Sequence, residues 1–335
     1  MRIVDHFIPT TAKPDPSPRN ARGEWQPAQP IAYAPVFGWP PRPFAIAKWA
    51  VSWPGFMWPR NLTLLAIAAL SWFFTEPALA RCVTFRWDWL LQIWGRNLAL
   101  AWLVYGGYHL YLYVFKGEGT KGKYDARWPA EDSGVFLFRN QVYDNIFWTG
   151  GVAVLIWTAY EAVGLWLFAN HYIPYLSWTE HPVWFVAWMV AIPFWREFHF
   201  YWIHRAIHWK PLYRHVHSLH HKNVNPGPWS GMAMHPLETT IYLSVAMIHW
   251  IIPSHPLHFL FDLQNTALSP ACSHHGFEGP ILEGKWPTGS RFHYLHHRHF
   301  ECNYGGVVLP LDKWFGTFRD GVPRGTGSNL PGEHH

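Results

Sequence analysis

The sequence predicts an all-α integral membrane protein. We expect a helical bundle of about four spans, with a cytosolic helical lobe that holds a histidine-rich site for two metal ions. Of the 335 residues, 50% are hydrophobic, 19% are aromatic and only 14% are charged, whereas soluble domains average about 25% charged residues. The 24 tryptophans and 15 tyrosines are typical of aromatic belts at membrane interfaces. The spacing of the histidines is helical, which favours helices as the carriers of the metal site.

The chain divides into four segments. Residues 1–60 form a Pro- and aromatic-rich N-terminal arm, because repeated prolines prevent a continuous helix. Residues 61–144 contain the first membrane spans and a polar cytosolic loop that begins at Lys116. Residues 145–320 contain the remaining spans and the histidine-rich lobe, and residues 321–335 form a C-terminal tail.

Apolar stretches long enough to approach or cross a bilayer define the predicted spans. The first is short and suits a partial or re-entrant span. The last is broken by Pro253 and Pro256. Arg96 and His109 fall within the second stretch, so we expect them to face protein or the interface rather than lipid. The stretches are residues 61–74, 89–115, 145–169, 183–204 and 241–261.

Charge and cysteine content exclude two other classes of protein. The formal net charge is +5, but the basic residues flank apolar stretches instead of forming one polar face. This distribution fits the positive-inside rule and argues against nucleic-acid binding. The three widely spaced cysteines give no disulfide framework.

Histidine is concentrated in one part of the chain. Seventeen of the 23 histidines lie between His199 and His299, and eight of these form one HxxxH and two HxxHH runs. On a helix, positions i, i+3 and i+4 share a face, so each run presents its imidazoles together. Eight imidazoles exceed the needs of one ion and suit a pair of iron, zinc, copper or nickel ions. The runs are His204 and His208; His217, His220 and His221; and His293, His296 and His297.

Other polar residues near the runs are not assigned as ligands by their spacing. His199 and His215 fall off the faces of the runs, so we interpret His215 as a surface or supporting histidine. Each ligating imidazole needs an acceptor for its second nitrogen. Spacing does not select among the nearby carboxylates, which are Glu197, Glu238, Glu278, Glu301 and Asp312.

Six sequence segments together resemble the fatty acid hydroxylase / sterol desaturase superfamily in order, spacing and membrane setting. The resemblance covers roughly residues 145–320. The segments are residues 200–208 (FYWIHRAIH), 217–221 (HSLHH), 234–238 (MHPLE), 292–297 (FHYLHH), 303–305 (NYG) and 314–317 (WFGT).

The resemblance implies a membrane-bound di-iron oxygenase that hydroxylates or desaturates a lipid, either sterol-like or fatty-acyl, with O2. In the family the eight histidines of the three runs are metal ligands. Two further family positions fall on His235, within the "HP-E" segment, and on His274, within an "H-x-G-aromatic-acid" segment. His275 sits where the family varies and is a weaker candidate.

The implied cofactors are two Fe ions, with O2 as co-substrate, although imidazoles would also take up zinc in a preparation. No His-Pro-Gly-Gly haem segment is present, so electrons should come from a separate donor such as a cytochrome b5, a ferredoxin or an NAD(P)H-fed reductase. We expect the metal site on the cytosolic side of the membrane. The sequence does not distinguish a bacterial inner membrane from the endoplasmic reticulum.

Two other functions are compatible with clustered histidines. A membrane zinc hydrolase would need about three ligands and often an HExxH segment, which this sequence lacks. A metal transporter or sensor should hold its ligands within the spans, whereas these runs follow the ends of the spans. Both remain alternatives to the oxygenase.

Overall fold

The computed structural model describes residues 19–26, 33–282, 285–287 and 289–321. Within these residues the chain is helical, and β-structure is limited to isolated bridges. The all-α prediction is therefore confirmed for this part of the chain. The predicted N-terminal arm lies partly outside the described residues, and the predicted tail of residues 321–335 lies outside them except for Gly321.

Among the described residues, the N-terminal half contains six α-helices, several of which continue through π-helical turns. The π-helical stretches are Met57–Asn61, Trp102–Gly106, Leu110–Val114 and Phe147–Ala153. The α-helices are α1 (Pro43–Val51), α2 (Leu62–Phe74), α3 (Trp87–Ala101), α4 (Gly107–His109), α5 (Gln141–Ile146) and α6 (Val154–Ala169).

The C-terminal half carries the histidine runs on shorter helices. A π-helical stretch, Tyr213–His217, lies between α8 and α9, and 3₁₀ turns occur at Pro228–Met232 and Ser244–Trp250. The helices are α7 (Pro182–Ile207), α8 (Lys210–Leu212), α9 (Ser218–His221), α10 (Pro236–Leu243), α11 (Pro256–Leu268), α12 (Pro270–Ser273), α13 (Arg291–His299) and α14 (Leu311–Trp314).

One helix in the described residues is long and apolar enough to cross a membrane. It is the continuous helix Gln141–Ala169, of 29 residues, which is half buried by the rest of the chain. A core helix of a soluble protein can have the same length and composition. The expected total of about four spans therefore stays a prediction.

The centre of the molecule is α11, of which every residue is buried. It packs against α2, α6 and α7. At Gly164 of α6 the backbone approaches the Phe259 ring so closely that a Cβ atom would lie 2.1 Å from it. The predicted break at Pro253 and Pro256 is present, because a 3₁₀ stretch ends at Trp250 and α11 begins with Pro256.

The charged residue predicted to avoid lipid is buried among partners. Arg96 of α3 forms ion pairs with Glu76 and Glu161 and hydrogen bonds to Asn97. These contacts join α3 to α6 and to the turn after α2, so the prediction that Arg96 faces protein is confirmed.

Candidate metal centre

Three helical segments bring the histidine runs to one place. His204 lies in the last turn of α7 and His208 directly follows that helix. His217, His220 and His221 lie on the segment that runs through Tyr213–His217 into α9. The third run lies on α13. The chain turns between Ile207, where α7 ends, and Lys210, where α8 begins, and this turn folds the second run back onto the first.

The histidines form two separate groups. In each group one donor nitrogen per residue lies within 4.8 Å of all the others. We call them the five-histidine group and the four-histidine group. The first contains His204, His208, His217, His221 and His296. The second contains His220, His274, His293 and His297.

The donor atoms are spaced as the ligands of a common ion would be. Neighbouring Nε2 atoms in the five-histidine group lie 3.0–3.2 Å apart, and those in the four-histidine group lie 2.9–3.3 Å apart. With metal–nitrogen bonds of about 2.1 Å, adjacent ligand atoms on one ion are about 3 Å apart. The residues present therefore fit two metal ions.

Hydrogen bonds on the outer nitrogens fix the tautomers of several rings. A carbonyl oxygen only accepts, so the Nδ1–H groups must donate and each Nε2 presents a lone pair. His204 donates to the Tyr304 carbonyl (2.6 Å), and His296 donates to the Cys302 carbonyl (2.7 Å). His274 donates to the Pro270 carbonyl at 2.9 Å and His220 to the Ala233 carbonyl at 3.3 Å.

The consequence is clearest between His220 and His274. Their Nε2 atoms lie 3.3 Å apart, and both must be unprotonated because both Nδ1 atoms carry the proton. Two facing lone pairs at that distance repel unless a cation lies between them. This contact is the most direct sign that a cation belongs in the group.

Two carboxylates support the five-histidine group. Glu238 accepts a hydrogen bond from Nδ1 of His217 at 2.7 Å. Asp312 accepts from the backbone N–H groups of Tyr304 and Gly305, both at 2.8 Å, and so holds the carbonyl that His204 uses. Of the other candidates, Glu278 bonds Tyr124, and Glu197 accepts from the Val308 N–H.

Burial keeps the imidazoles neutral. It lowers the pKa of His208 to about 3 and that of His220 to about 4. Burial is also the main cause that lowers the pKa values of the other ligand candidates His217, His221, His274, His293, His296 and His297. Neutral imidazole is the form that binds metal, so these side chains are ready to ligate at neutral pH.

Two histidines suggested by the resemblance lie outside both groups. Nδ1 of His235 accepts a hydrogen bond from the Leu237 N–H at the start of α10. His275 is buried, accepts from the Phe277 N–H and stacks on Tyr108. The ring of His199 contacts the Ser244 hydroxyl, and His215 is exposed, in line with the interpretation that neither belongs to a run.

A cleft of about 940 Å³ opens beside both groups. His204 and His217 of the five-histidine group line it, as do His220, His274 and His293 of the four-histidine group. Most of the remaining wall is apolar and includes Phe200, Ile203, Ile207, Met234, Ile241, Phe292 and Val307. An apolar molecule in this cleft would lie against both groups of histidines.

The part of the chain that builds this centre matches a known family. Residues 188–317 match the family model named Fatty acid hydroxylase. These residues form a domain of the fatty acid hydroxylase and sterol desaturase superfamily. The domain contains all nine histidines of the two groups.

Several sterol-modifying proteins are similar in sequence to part of this chain. A Delta(7)-sterol-C5(6)-desaturase of Nicotiana tabacum is 31% identical over 44% of this chain and 54% of its own length. A Delta(7)-sterol 5(6)-desaturase of Gibberella zeae is 30% identical over 37% of this chain and 39% of its own. Methylsterol monooxygenase 1 of Gallus gallus is 29% identical over 46% and 54%. The chain thus spans about half the length of these relatives or less, and no solved structure matches it.

Proposed function

We propose that the protein is a membrane-bound di-iron oxygenase that hydroxylates or desaturates a lipid, sterol-like or fatty-acyl, with O2 and electrons from a separate donor. One observation carries the proposal: two groups of neutral imidazoles meet beside one mostly apolar cleft. The names of the relatives, which are sterol desaturases and a methylsterol monooxygenase, support a lipid as substrate.

The nine grouped histidines are the proposed ligands, five for one ion and four for the other. When bound, two iron ions would supply the redox chemistry that attacks an unactivated C–H bond, which zinc cannot supply. His235 and His275, which the resemblance also suggested, would act outside the ligand sets. A catalytic zinc site usually has three protein ligands, so groups of five and four favour the oxygenase over a zinc hydrolase.

The other residues of the centre orient the histidine ligands or hold the lipid. Glu238 keeps the proton of His217 on Nδ1, so that Nε2 stays a ligand. Asp312 fixes the loop that carries the Tyr304 carbonyl. The apolar wall of Phe200, Ile203 and Ile241 would exclude water and hold the lipid body against the histidines.

We propose that the protein is embedded in a membrane, with the metal centre at its cytosolic side. The helix Gln141–Ala169 supports insertion by its length and hydropathy. Large apolar side chains are exposed along the N-terminal helices, including Phe73 and Phe74 of α2 and Leu91 of α3. Lipid would cover such residues without cost, whereas water would not.

The test is lipid mass spectrometry on a host that lacks this gene, complemented with wild type, His220→Ala or His215→Ala. His215 is the matched control, because it is an exposed histidine only five residues from His220 and outside both groups. We expect wild type and His215→Ala to add one oxygen to a lipid or to remove two hydrogens from it. His220→Ala should do neither. Identical lipids in all strains, with an electron donor present and wild-type protein loaded with metal, would overturn the proposal.

A further inference from the structure

Two arginines face the cleft that adjoins the histidines. Arg196 extends from α7, eight residues before His204, which places it about 12 Å from that histidine along the helix axis. Arg60 extends from the turn Met57–Asn61 that precedes α2. Both residues line the same cleft as the histidines.

Neither guanidinium group is satisfied by the protein. Arg196 donates to the Tyr242 hydroxyl at 3.2 Å, while its Nε–H is buried without a partner. Arg60 has no side-chain hydrogen bond or ion pair within the described residues. Both side chains are partly buried, and a cation shielded from water is costly unless hydrogen bonds or an opposite charge compensate it. An anion in the cleft would therefore stabilise both groups.

The two carboxylates around the cleft are not paired directly with the two arginines. The carboxylates are those of Glu197 and Glu238. Glu238 is committed to His217. Glu197 lies near enough to both arginines to interact with them electrostatically, but its Oε1 accepts from the Val308 N–H. Within the described residues neither carboxylate lies within 4.0 Å of either guanidinium group. Within the described residues neither guanidinium group therefore has a direct ion pair.

Arg60 also marks the junction of two cavities. A second cleft, of about 1260 Å³, is lined by Trp49, Phe56, Tyr108 and Trp286. The two clefts share the wall formed by Arg60, Cys272, Gly289, Phe292 and Val307. Arg196 lines the first cleft together with Arg60 and Cys272. An anion held here would have space on both sides, with aromatic residues and the charged Glu278 and Arg291 lining the second cleft.

From these contacts we infer that the substrate is an anionic amphiphile, whose carboxylate, sulfate or phosphate group binds Arg60 and Arg196. Its apolar body would extend along the cleft toward the histidines. Guanidinium groups suit this task because their N–H donors match the two oxygens of such an anion. The inference rests on the proposed function, since it assigns the substrate class of the same site. The two arginines would be positioning residues that set which carbon reaches the metal centre.

A binding measurement tests the inference without turnover. Purified full-length protein, loaded with iron and held in lipid nanodiscs, is titrated with two radiolabelled pairs: oleate against oleyl alcohol, and cholesteryl sulfate against cholesterol. We expect the anionic member of at least one pair to bind about tenfold more tightly or better, the gain expected from a charge-assisted hydrogen bond. The pair with the larger ratio identifies a chain or a ring system as the body. Equal affinities within both pairs would overturn the inference.

Substitutions then assign the preference to these residues. Arg196→Gln and Arg60→Gln should each reduce the ratio to about twofold and leave the affinity for the alcohol unchanged, because only the charged contact is lost. Arg196→Lys should retain part of the preference. Arg214→Gln is the matched control, since Arg214 is exposed and outside both clefts. Full iron content would show that each variant is folded.

Persistence of the wild-type ratio in both glutamine variants would contradict the inference. Its failure is distinguishable from failure of the proposed function, because binding and turnover are measured separately. A clear preference without any lipid product would remove the oxygenase proposal and leave the anion site. Formation of lipid product without a preference for the anionic ligand would support the oxygenase proposal and contradict the anion site.

Discussion

The five-histidine group and the four-histidine group share the α9 segment and α13 but differ in their remaining members. The five-histidine group takes an i, i+4 pair from the end of α7 and another from the segment ending in α9, with His296 as the fifth member. The four-histidine group takes one such pair, His293 and His297, from α13 and completes it with His220 and His274. Each HxxHH run therefore gives its outer pair to one group and its third histidine to the other.

The difference has chemical consequences. Five protein ligands would leave fewer positions on a bound ion for other ligands than four would. The four-histidine group is wholly buried, while His208 of the five-histidine group is partly exposed. We therefore expect an ion held by the four-histidine group to depend more strongly on each ligand.

The largest effect should follow loss of a ligand from the smaller group. His293→Ala leaves three histidines, so metal content should fall from about two ions per chain to about one, and lipid product should disappear. Metal analysis of purified protein measures the first effect and lipid mass spectrometry the second. His215→Ala serves as the control. Retention of two ions in His293→Ala would contradict the expectation that the smaller group depends on every ligand.

A smaller effect is expected in the larger group. His208→Ala leaves four histidines, as many as the intact smaller group has, so both ions should remain at saturating iron. Lipid product should fall only in part. Competition with a chelator measures the affinity of each ion. If His208→Ala loses an ion as readily as His293→Ala does, the number of ligands does not govern retention.

The third-largest effect is expected when the Glu238 carboxylate is replaced. Glu238→Gln keeps the shape of the side chain but replaces the carboxylate that accepts from His217. Loss of such a partner typically lowers metal affinity about 10–100-fold. The chelator competition should show one weakened ion and one unchanged ion. Glu301→Gln, at an exposed position, should match wild type, and a wild-type affinity in Glu238→Gln would show that the carboxylate is dispensable.

The smallest effect is expected at the two histidines outside the groups. His235→Ala and His275→Ala should each retain about two ions, because neither ring reaches a group. His235→Ala should lower the free energy of unfolding by about 1 kcal/mol, since its ring caps α10. Thermal denaturation in detergent measures the stability change. Loss of an ion in either variant would return that residue to the ligand set.

The sequence predicted that the three histidine runs come together, because helical spacing is visible in residue order. All eight histidines of the three runs lie in the two groups, and His274, suggested only by the resemblance, joins them. The division into groups was not predicted. Residues 220 and 221 diverge by about 100° around the helix axis, so the same spacing that unites a run can also split it.

Other features left no trace in the residue pattern. The acceptors for His204, His220, His274 and His296 are backbone carbonyls, which any residue type could provide. In the structure Trp49, Phe56 and Arg60 of the N-terminal arm line a cleft that adjoins the one beside the histidines. Such long-range packing depends on shape, which spacing along one segment does not encode.

Helix α13 connects the two histidine groups directly. His296 and His297 are consecutive residues, yet they belong to different groups. In the part of the chain that the structure describes, neither group contains a carboxylate that could join the two ions. The backbone of one helical turn would thus fix the distance between two bound ions. Any substitution that rotates α13 would change both sites at once and would move them in concert.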